Sequence, residues 1–442
     1  LDIIVMTTAK IRLYWHTLRH LKLIQIYRRI WYKLYQPNLN LLITKYSLRV
    51  STGDWQLPIA RKPLMFESLQ FRFLNQSHNL PEVGGWDDTT LDKLWLYNLH
   101  YFDDLNACDS MQRDVWHRAL IKRWVQENQS TSGTGWEPYP TSLRIVNWIK
   151  WLVAGNAPVP GMLDSLVTQA SWLDRRLEWH LLGNHLFANA KALVFAGLFF
   201  DGQQSTKWLA TGLNIIEQQL PEQVLADGGN FERSTMYHAI FLEDVLDLIN
   251  VSVHWSGCVP DLQVKLWREL ASRMLFWLNA LTHPDGEIAL FNDAAFGIAS
   301  NFFQLRAYAQ RLEFLDDSDD KRGHGLPKLV HFDESGYIRM ETDNAVGLLD
   351  VACIGPDYLP GHAHADTFNF ELYINNSPVF VDTGTSTYNI GDIRAKERST
   401  EAHNSVMVSN VNSSEVWSGF RVAKRANVTI ENELEQSIEA SH

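Results

Sequence analysis

Residues 361–374, GHAHADTFNFELYI, decide how this sequence folds. In the last eight, Phe368, Phe370, Leu372 and Ile374 fall on one side of an extended chain. Thr367, Asn369, Glu371 and Tyr373 fall on the other. A period of two is the pattern of a half-buried strand. Strands are expected likewise at 337–341, 345–353, 378–382, 404–409 and 426–430, joined by Asn, Asp, Gly and Ser turns. From about residue 326 the chain therefore reads as an all-β domain of the sandwich type. Six strands are few for two packed sheets, so the sandwich is expected to be short on its C-terminal side.

Upstream the period changes to that of a helix. In 110–127, SMQRDVWHRALIKRWVQE, apolar residues stand three and four apart. Further helices are expected at 141–154, 162–180, 185–200, 205–220, 233–253 and 261–282, with Thr141 and Asp261 as start signals. Turns at Gly155-Asn156, Gly183, Pro221 and Pro260-Asp261 separate them. Antiparallel helical hairpins arranged as a toroid fit this length, and no repeat motif marks a solenoid. Residues 37–90 contain Pro37, Pro58, Pro63, Pro81 and Gly84-Gly85 and read as irregular. Residues 8–36 interleave Leu, Ile, Tyr and Trp with Arg and Lys, as in a basic amphipathic helix. Such a helix could lie on a membrane; docking on its own protein is the commoner outcome. The expected division is 1–90, 91–325 and 326–442.

The 442 residues are 45% hydrophobic and 20% charged, enough for a sizeable core. The net charge of −12 leaves no global basic footprint, so duplex nucleic acid is not an expected partner. A polyanionic substrate needs only a locally positive cleft. The 17 Trp, 14 Tyr and 21 Phe suit the flat faces of sugars as well as a large core. Cys108, Cys258 and Cys353 are too far apart in sequence to imply a disulfide framework or a CxxC site. No apolar run reaches the roughly 20 residues that span a bilayer. The start lacks a clean apolar stretch with a small-residue cleavage site, so no secretory signal is read there. The sequence begins at Leu1 rather than Met, which leaves export open and the compartment undecided between periplasm and cytoplasm.

Four clusters could carry chemistry. His362 and His364 lie two apart in GHAHAD, with Asp382 at the end of PVFVD and His403 in EAHN. Two His and a carboxylate at strand ends suit a zinc site with an open position, against a bland reading of surface histidines and a turn. Gly183-Asn184-His185 precedes LFANAKALVFAGLFF. There Asn184 suits a helix cap, and His185 at the positive helix end is favoured as neutral imidazole. Such an amide and imidazole in a cleft could hold a carboxylate or an enolate oxygen. In DGGNFERSTMYH, Arg233 and Tyr237 are four apart, which on a helix sets a guanidinium beside a phenol. In GWEPYP, Trp136 and Tyr139 could stack on sugar, and Arg144 downstream could pair a carboxylate. His283-Pro284-Asp285-Gly286-Glu287 reads as an ordinary turn into Phe291-Asn292-Asp293.

GNHLFANAKAL, GGNFERSTMYH, GHAHADTFNFELYINNSPVFVDTGTSTY and the RSTEAHN of Arg398–Asn404 together resemble the heparinase II/III-like polysaccharide lyases, in the family's order over roughly 90–430. The resemblance implies a multidomain α+β fold, with an N-terminal (α/α) toroid followed by a C-terminal antiparallel β-sandwich. The missing remainder of the sandwich is a departure from that pattern. It implies an acidic, uronate-containing polysaccharide as substrate, cleaved by β-elimination. It places the family's catalytic groups on Asn184, His185, Tyr237 and His362. It places a metal, one divalent ion of zinc type in a structural role, on His364, Asp382 and His403. Substrate contacts are expected from Trp136, Tyr139, Arg144, Arg233 and Tyr388.

Elimination removes a weakly acidic C5 proton beside a carboxylate. Donors on the carboxylate oxygens then stabilise the transition state more than the ground state, a role for Asn184 helped by His185. Tyr237 serves as base and acid on one face of the sugar, or as acid with His362 as base on the other. Two other classes compete. A glycoside hydrolase needs two flanking carboxylic acids, for which Glu137, Glu232 and Asp293 are the candidates. A non-catalytic uronate-binding protein of exopolysaccharide assembly needs no base.

Overall fold

The computed structural model describes residues 8–37, 46–129, 131–315, 326–434 and 437–442. The stretch just before the expected boundary at 326 lies outside them. In chain order the helices are α1 (Thr8–Leu18), α2 (Leu23–Leu34), α3 (Lys93–Tyr101), α4 (Asp114–Glu127), α5 (Pro138–Val153), α6 (Met162–Arg175) and α7 (Gly183–Phe199). They continue with α8 (Gln203–Gln223), α9 (Thr235–His254), α10 (Asp261–Ala280), α11 (Phe302–Arg311) and the short α12 (Asp392–Glu397). Every helix expected between 110 and 282 forms. The start signal at Thr141 is displaced: α5 begins at Pro138, whose missing N–H costs nothing in a first turn.

Two compact units emerge. One comprises Leu1–Ile26, Leu220–Leu246 and Leu266–His442; the other comprises Tyr27–Gln219 and Asp247–Lys265. The second is helical at its centre. Helix α7 is buried from Leu186 to Phe199 and apolar there except at Asn189 and Lys191, as suits a helix surrounded by others. Helix α5 is buried at 13 of its positions and packs on α7. The region expected to be irregular holds a small antiparallel sheet, β2 (Met65–Glu67), β3 (Gln70–Phe73) and β4 (Gln76–Asn79), after β1 (Ser47–Leu48), which pairs with β5 (Phe200–Asp201). The signal overlooked was the alternation in QFRF, which buries Phe71 and Phe73.

The first unit is built on a five-stranded antiparallel sheet, in the order β10 (Ser377–Phe380), β9 (Phe370–Ile374), β8 (Ala345–Asp350), β7 (Tyr337–Glu341), β6 (Leu329–Phe332). Its core sets Trp277, Leu281, Ala289 and Phe291 against Phe332, Tyr337, Val346, Leu348 and Tyr373. The face of β9 that packs inward is the opposite of the one its apolar residues suggest. Glu371 and Tyr373 are buried, whereas Phe370 and Leu372 are half-exposed and Ile374 is exposed. The Glu371 carboxylate is satisfied there by His283, by Leu290 N–H at 2.8 Å and by Asp382 N–H at 3.2 Å. A buried carboxylate with that many donors is tolerable. The expected strand at 404–409 does not form; a single bridge joins Val408 and Val411. Two hairpins end the described chain, β11 (Val416–Trp417) with β12 (Arg421–Val422) and β13 (Thr429–Leu434) with β14 (Ser437–Ser441).

Candidate active site

Tyr237 lies in the first turn of α9. Ser234, just before that helix, accepts the Tyr237 N–H at 3.2 Å and donates to the Asp293 carbonyl at 2.6 Å. This fixes the helix start against the loop that follows residue 291. The Tyr237 ring stacks on His362 with centroids 3.8 Å apart and planes at 29°, and its hydroxyl lies 3.0 Å from that of Tyr388. All three rings are half-buried, so they keep a side toward solvent.

Behind them, Asp293 is completely buried. One of its oxygens is 2.9 Å from His362 Nδ1 and the other 2.8 Å from His364 Nε2. Arg394 closes the set with both terminal nitrogens, Nη2 at 2.7 Å and Nη1 on the other oxygen. Burial alone would raise this carboxyl, but the bonds from His362, His364 and Arg394 hold it well below the usual carboxylate range. Asp293 is therefore an ionised anchor and cannot donate a proton to a leaving group. Because an ionised carboxylate only accepts, His362 Nδ1 donates to Asp293; the other ring nitrogen, Nε2, lies 3.7 Å from a Glu232 oxygen. The Tyr388 phenol is pushed above its ordinary value, first by burial and second by the Asp293 charge, so it stays protonated.

A tight turn at Gly384 makes this arrangement possible. Its φ is +58°, and a Cβ there would stand 2.3 Å from the Ala294 carbonyl oxygen. The close approach lets Thr385 N–H bond that same oxygen at 2.9 Å. It carries Asp382 and Tyr388 to the loop that holds Asp293. Asp382 is 2.7 Å from His403 Nδ1, and the His364 and His403 rings are 5.3 Å apart.

As these side chains stand, no three His, Cys, Asp or Glu groups among the described residues converge to hold an ion. Yet His364 Nδ1 and His403 Nε2 are both buried without a hydrogen-bond partner, as is one oxygen of Asp366. The two imidazole nitrogens are ligands of the type a zinc-like ion takes, but the unpartnered oxygen is that of Asp366; both Asp382 oxygens are taken, one by His403 and Asn369 and the other by Gly384 N–H.

The expected neighbour of Tyr237 is not there. Arg233 precedes α9 in left-handed backbone (φ 60°), and its guanidinium bonds the carbonyls of Cys353 and Glu334. The spacing of four did not apply because the helix starts only at Thr235.

In the helical unit, Asn184 and His185 occupy the first turn of α7, both half-buried. Asn184 is not the cap; that position belongs to Leu182, with φ 64°. His185 Nδ1 is 3.2 Å from Glu178, which Asn189 also holds at 3.1 Å, and the His185 ring lies 4.6 Å from that of half-buried Tyr139. Trp136 is buried, with its indole N–H on the Asn128 carbonyl at 3.0 Å. Arg144 is fully buried. It bonds Gln169 at 2.9 Å and the carbonyls of Gly135 and His100 at 2.8 and 3.3 Å, and it lies 3.9 Å over the Trp124 ring. It is a core residue and not a cleft arginine: sequence position on α5 could not tell a buried face from a wet one. A cleft of about 730 Å³ opens in this unit among Tyr32, Lys93, Trp136, Glu137, Trp172 and Arg176.

Arg394 is the residue that sequence reading missed, and Asp293, expected only as a possible acid of a hydrolase, is instead the ionised anchor of His362 and His364. Arg394 had a usable signal: it lies on α12 and Arg398, four residues on, caps the end of that helix, and both are buried.

The heparinase II/III N-terminus profile matches residues 118–322, and the heparinase II/III-like C-terminal profile matches 324–442. A heparin-sulfate lyase of Bacteroides thetaiotaomicron is 25% identical over 338 residues, covering 66% of this chain and 47% of that protein. One of Pedobacter heparinus is 24% identical over 269 residues, covering 57% and 39%. The chain thus spans less than half the length of these curated relatives. Among solved structures, heparinase III aligns over 80% of this chain and 60% of its own, with a TM-score of 0.63 and 20% identity. Heparan sulfate lyase HepC of Pedobacter heparinus aligns over 93% and 68%, with a TM-score of 0.53 and 20% identity. With both profiles matched in order, the chain belongs to the heparinase II/III-like family.

Proposed function

We propose that this chain is a polysaccharide lyase that cleaves a uronic-acid polysaccharide by β-elimination and leaves a 4,5-unsaturated uronate end. The observation that carries this reading is Tyr237 stacked on His362, one tied to a protonated phenol and the other to an ionised carboxylate. A hydroxyl and an imidazole so held are a proton donor and acceptor aimed at one place. The names of the relatives favour a heparan-sulfate-like glycosaminoglycan among uronate polymers.

In this mechanism the Tyr388 O–H donates to the Tyr237 oxygen. That stabilises the phenolate and lets Tyr237 accept the C5 proton. The same Tyr237 can return a proton to the leaving C4 oxygen. For the opposite C5 configuration, His362 Nε2 accepts the proton while Tyr237 acts as acid. Asn184 and His185 are assigned to the substrate carboxylate, where charge accumulates in the transition state. Tyr139 is assigned to sugar stacking. The cleft of the helical unit has the size of a sugar-binding pocket and the aromatic lining one needs.

We further propose that His364, Asp382 and His403 hold one divalent, zinc-like ion. When bound, the ion would cross-link the strand-end loops. The chain's own contribution is that His364 and His362 share Asp293, so that order in one ring restrains the other. The toroid of helical hairpins and the β-sandwich are the finer reading of the α+β fold, supported by the likeness to heparinase III.

Hydrolysis is disfavoured because the relatives are named as lyases; of its three candidate carboxyls, Asp293 is held ionised and cannot serve as the acid. A purely binding role leaves the Tyr237–His362 pair without a use. The test is digestion of heparan sulfate, hyaluronan, chondroitin and alginate, followed by ultraviolet absorbance. A rise with a glycosaminoglycan supports the reading; chain shortening without absorbance, or no cleavage of any of the four, overturns it.

A further inference from the structure

Helix α2, LIQIYRRIWYKL, is turned inside out. Its apolar stripe, Leu23, Ile26, Tyr27, Ile30, Trp31 and Leu34, follows the spacing of one helix face, and all six are exposed, Leu23 and Leu34 at 81% and 79%. The face that is covered carries polar groups. Gln25 is buried and donates to the Tyr358 carbonyl at 3.3 Å, and Tyr32 lies under the Arg176 guanidinium at 3.5 Å. Helix α1 repeats the arrangement. Ile11, Trp15 and Leu18 are exposed, while Tyr14 and Thr17 engage Trp417. The hydrophobic effect opposes such exposure unless something apolar covers the stripe.

Charge identifies what covers it. Residues 8–36 contain seven Lys and Arg and no Asp or Glu, in a chain of net charge −12. Arg12 and Lys22 are paired with Glu415 and Glu222, whereas Arg29 and Lys33 on α2 are exposed. A second copy brought face to face would set like charges together. A soluble polyanion would meet the cations but would leave the Leu and Ile side chains wet. An anionic lipid surface satisfies both, with Trp31 and Tyr27 of the kind that settle at the headgroup level.

We propose that α2 docks in the plane of an anionic membrane surface, its apolar stripe among the acyl chains and its Arg and Lys at the headgroups. No helix among the described residues is long and apolar enough to cross a membrane. The test is co-sedimentation of the whole protein with vesicles of phosphatidylglycerol and phosphatidylcholine, and with phosphatidylcholine alone. The wild type should bind the anionic vesicles at least tenfold more tightly, and binding should weaken with added salt. The double variant Ile26→Glu with Ile30→Glu alters only exposed positions. It should keep its melting temperature and lose vesicle binding at least tenfold. Failure of the wild type to bind anionic vesicles, or equal binding by the variant, overturns the proposal. So does a wild-type dimer that the double variant converts to monomer, because the stripe would then be a contact between copies.

Discussion

Tyr237→Phe removes one oxygen and leaves the ring that stacks on His362. The lost hydrogen bond to Tyr388 joins two half-buried groups, so it should cost about 1 kcal/mol of stability. Turnover should fall on the order of 10²-fold or more if the hydroxyl moves the proton as proposed. Near-normal kcat in a folded variant would remove Tyr237 from the chemistry. Arg144 behaves in the opposite way. Its guanidinium is spent on Gln169 and two carbonyls inside the core, so Arg144→Ala leaves a cavity and unsatisfied acceptors. It should lower unfolding stability by about 3 kcal/mol or more, measured by denaturant titration. An unchanged midpoint with a raised KM would return Arg144 to the cleft. From sequence, both residues were a polar group on a helix. What separated them was the environment on the far side of the helix, which local spacing does not record.

Among the elements, α9 is tied to α5 and α7 through Asp247, fully buried and paired with both Lys150 and Lys191 at 2.5 Å. Burial alone would raise the Asp247 carboxyl, and the two ammonium groups pull it below its ordinary value. A depressed folded value means stability that is present above the unfolded value of about 3.9 and lost as the pH falls through the folded one. Asp247→Asn should therefore cost about 3–5 kcal/mol at pH 7, because it strands two buried cations. The gap between wild type and variant should narrow below about pH 4. A gap independent of pH would mean that packing, not charge, explains the loss.

The strand-end loops carry the metal proposal. Elemental analysis of the purified protein should give about one zinc-like ion per chain, and His364→Ala should lose it. Folded, active and metal-free wild type would refute the site. At this scale the sequence was most legible where periodicity was long. The helices between 110 and 282 and the strands at 337–350 were all readable. The β9 face was not, because a buried Glu371 is intelligible only once its donors from 283, 290 and 382 are known. The strands at 65–79 were too short, and too interrupted by polar residues, to stand out among the prolines around them.

For the whole molecule, a net charge of −12 and a polyanionic substrate are compatible only if positive potential is local. Arg144 cannot supply it, since it is buried. Lys93 and Arg176 line the cleft of the helical unit, but Glu137, which pairs with Lys93, and Asp87 line it too, so the cleft carries no net positive excess from these four side chains. The order of the motifs along the chain was legible from the start. The carboxylate that organises them was not: Asp293 is joined to His362, His364 and Arg394 across 69 to 101 residues of sequence. The central claim is elimination at a uronate. It is tested most directly by digesting heparan sulfate with the purified chain and counting ultraviolet-absorbing ends against new reducing ends. Elimination predicts one absorbing end for each reducing end formed, with both lost together in Tyr237→Phe; reducing ends that accumulate without absorbance would contradict it.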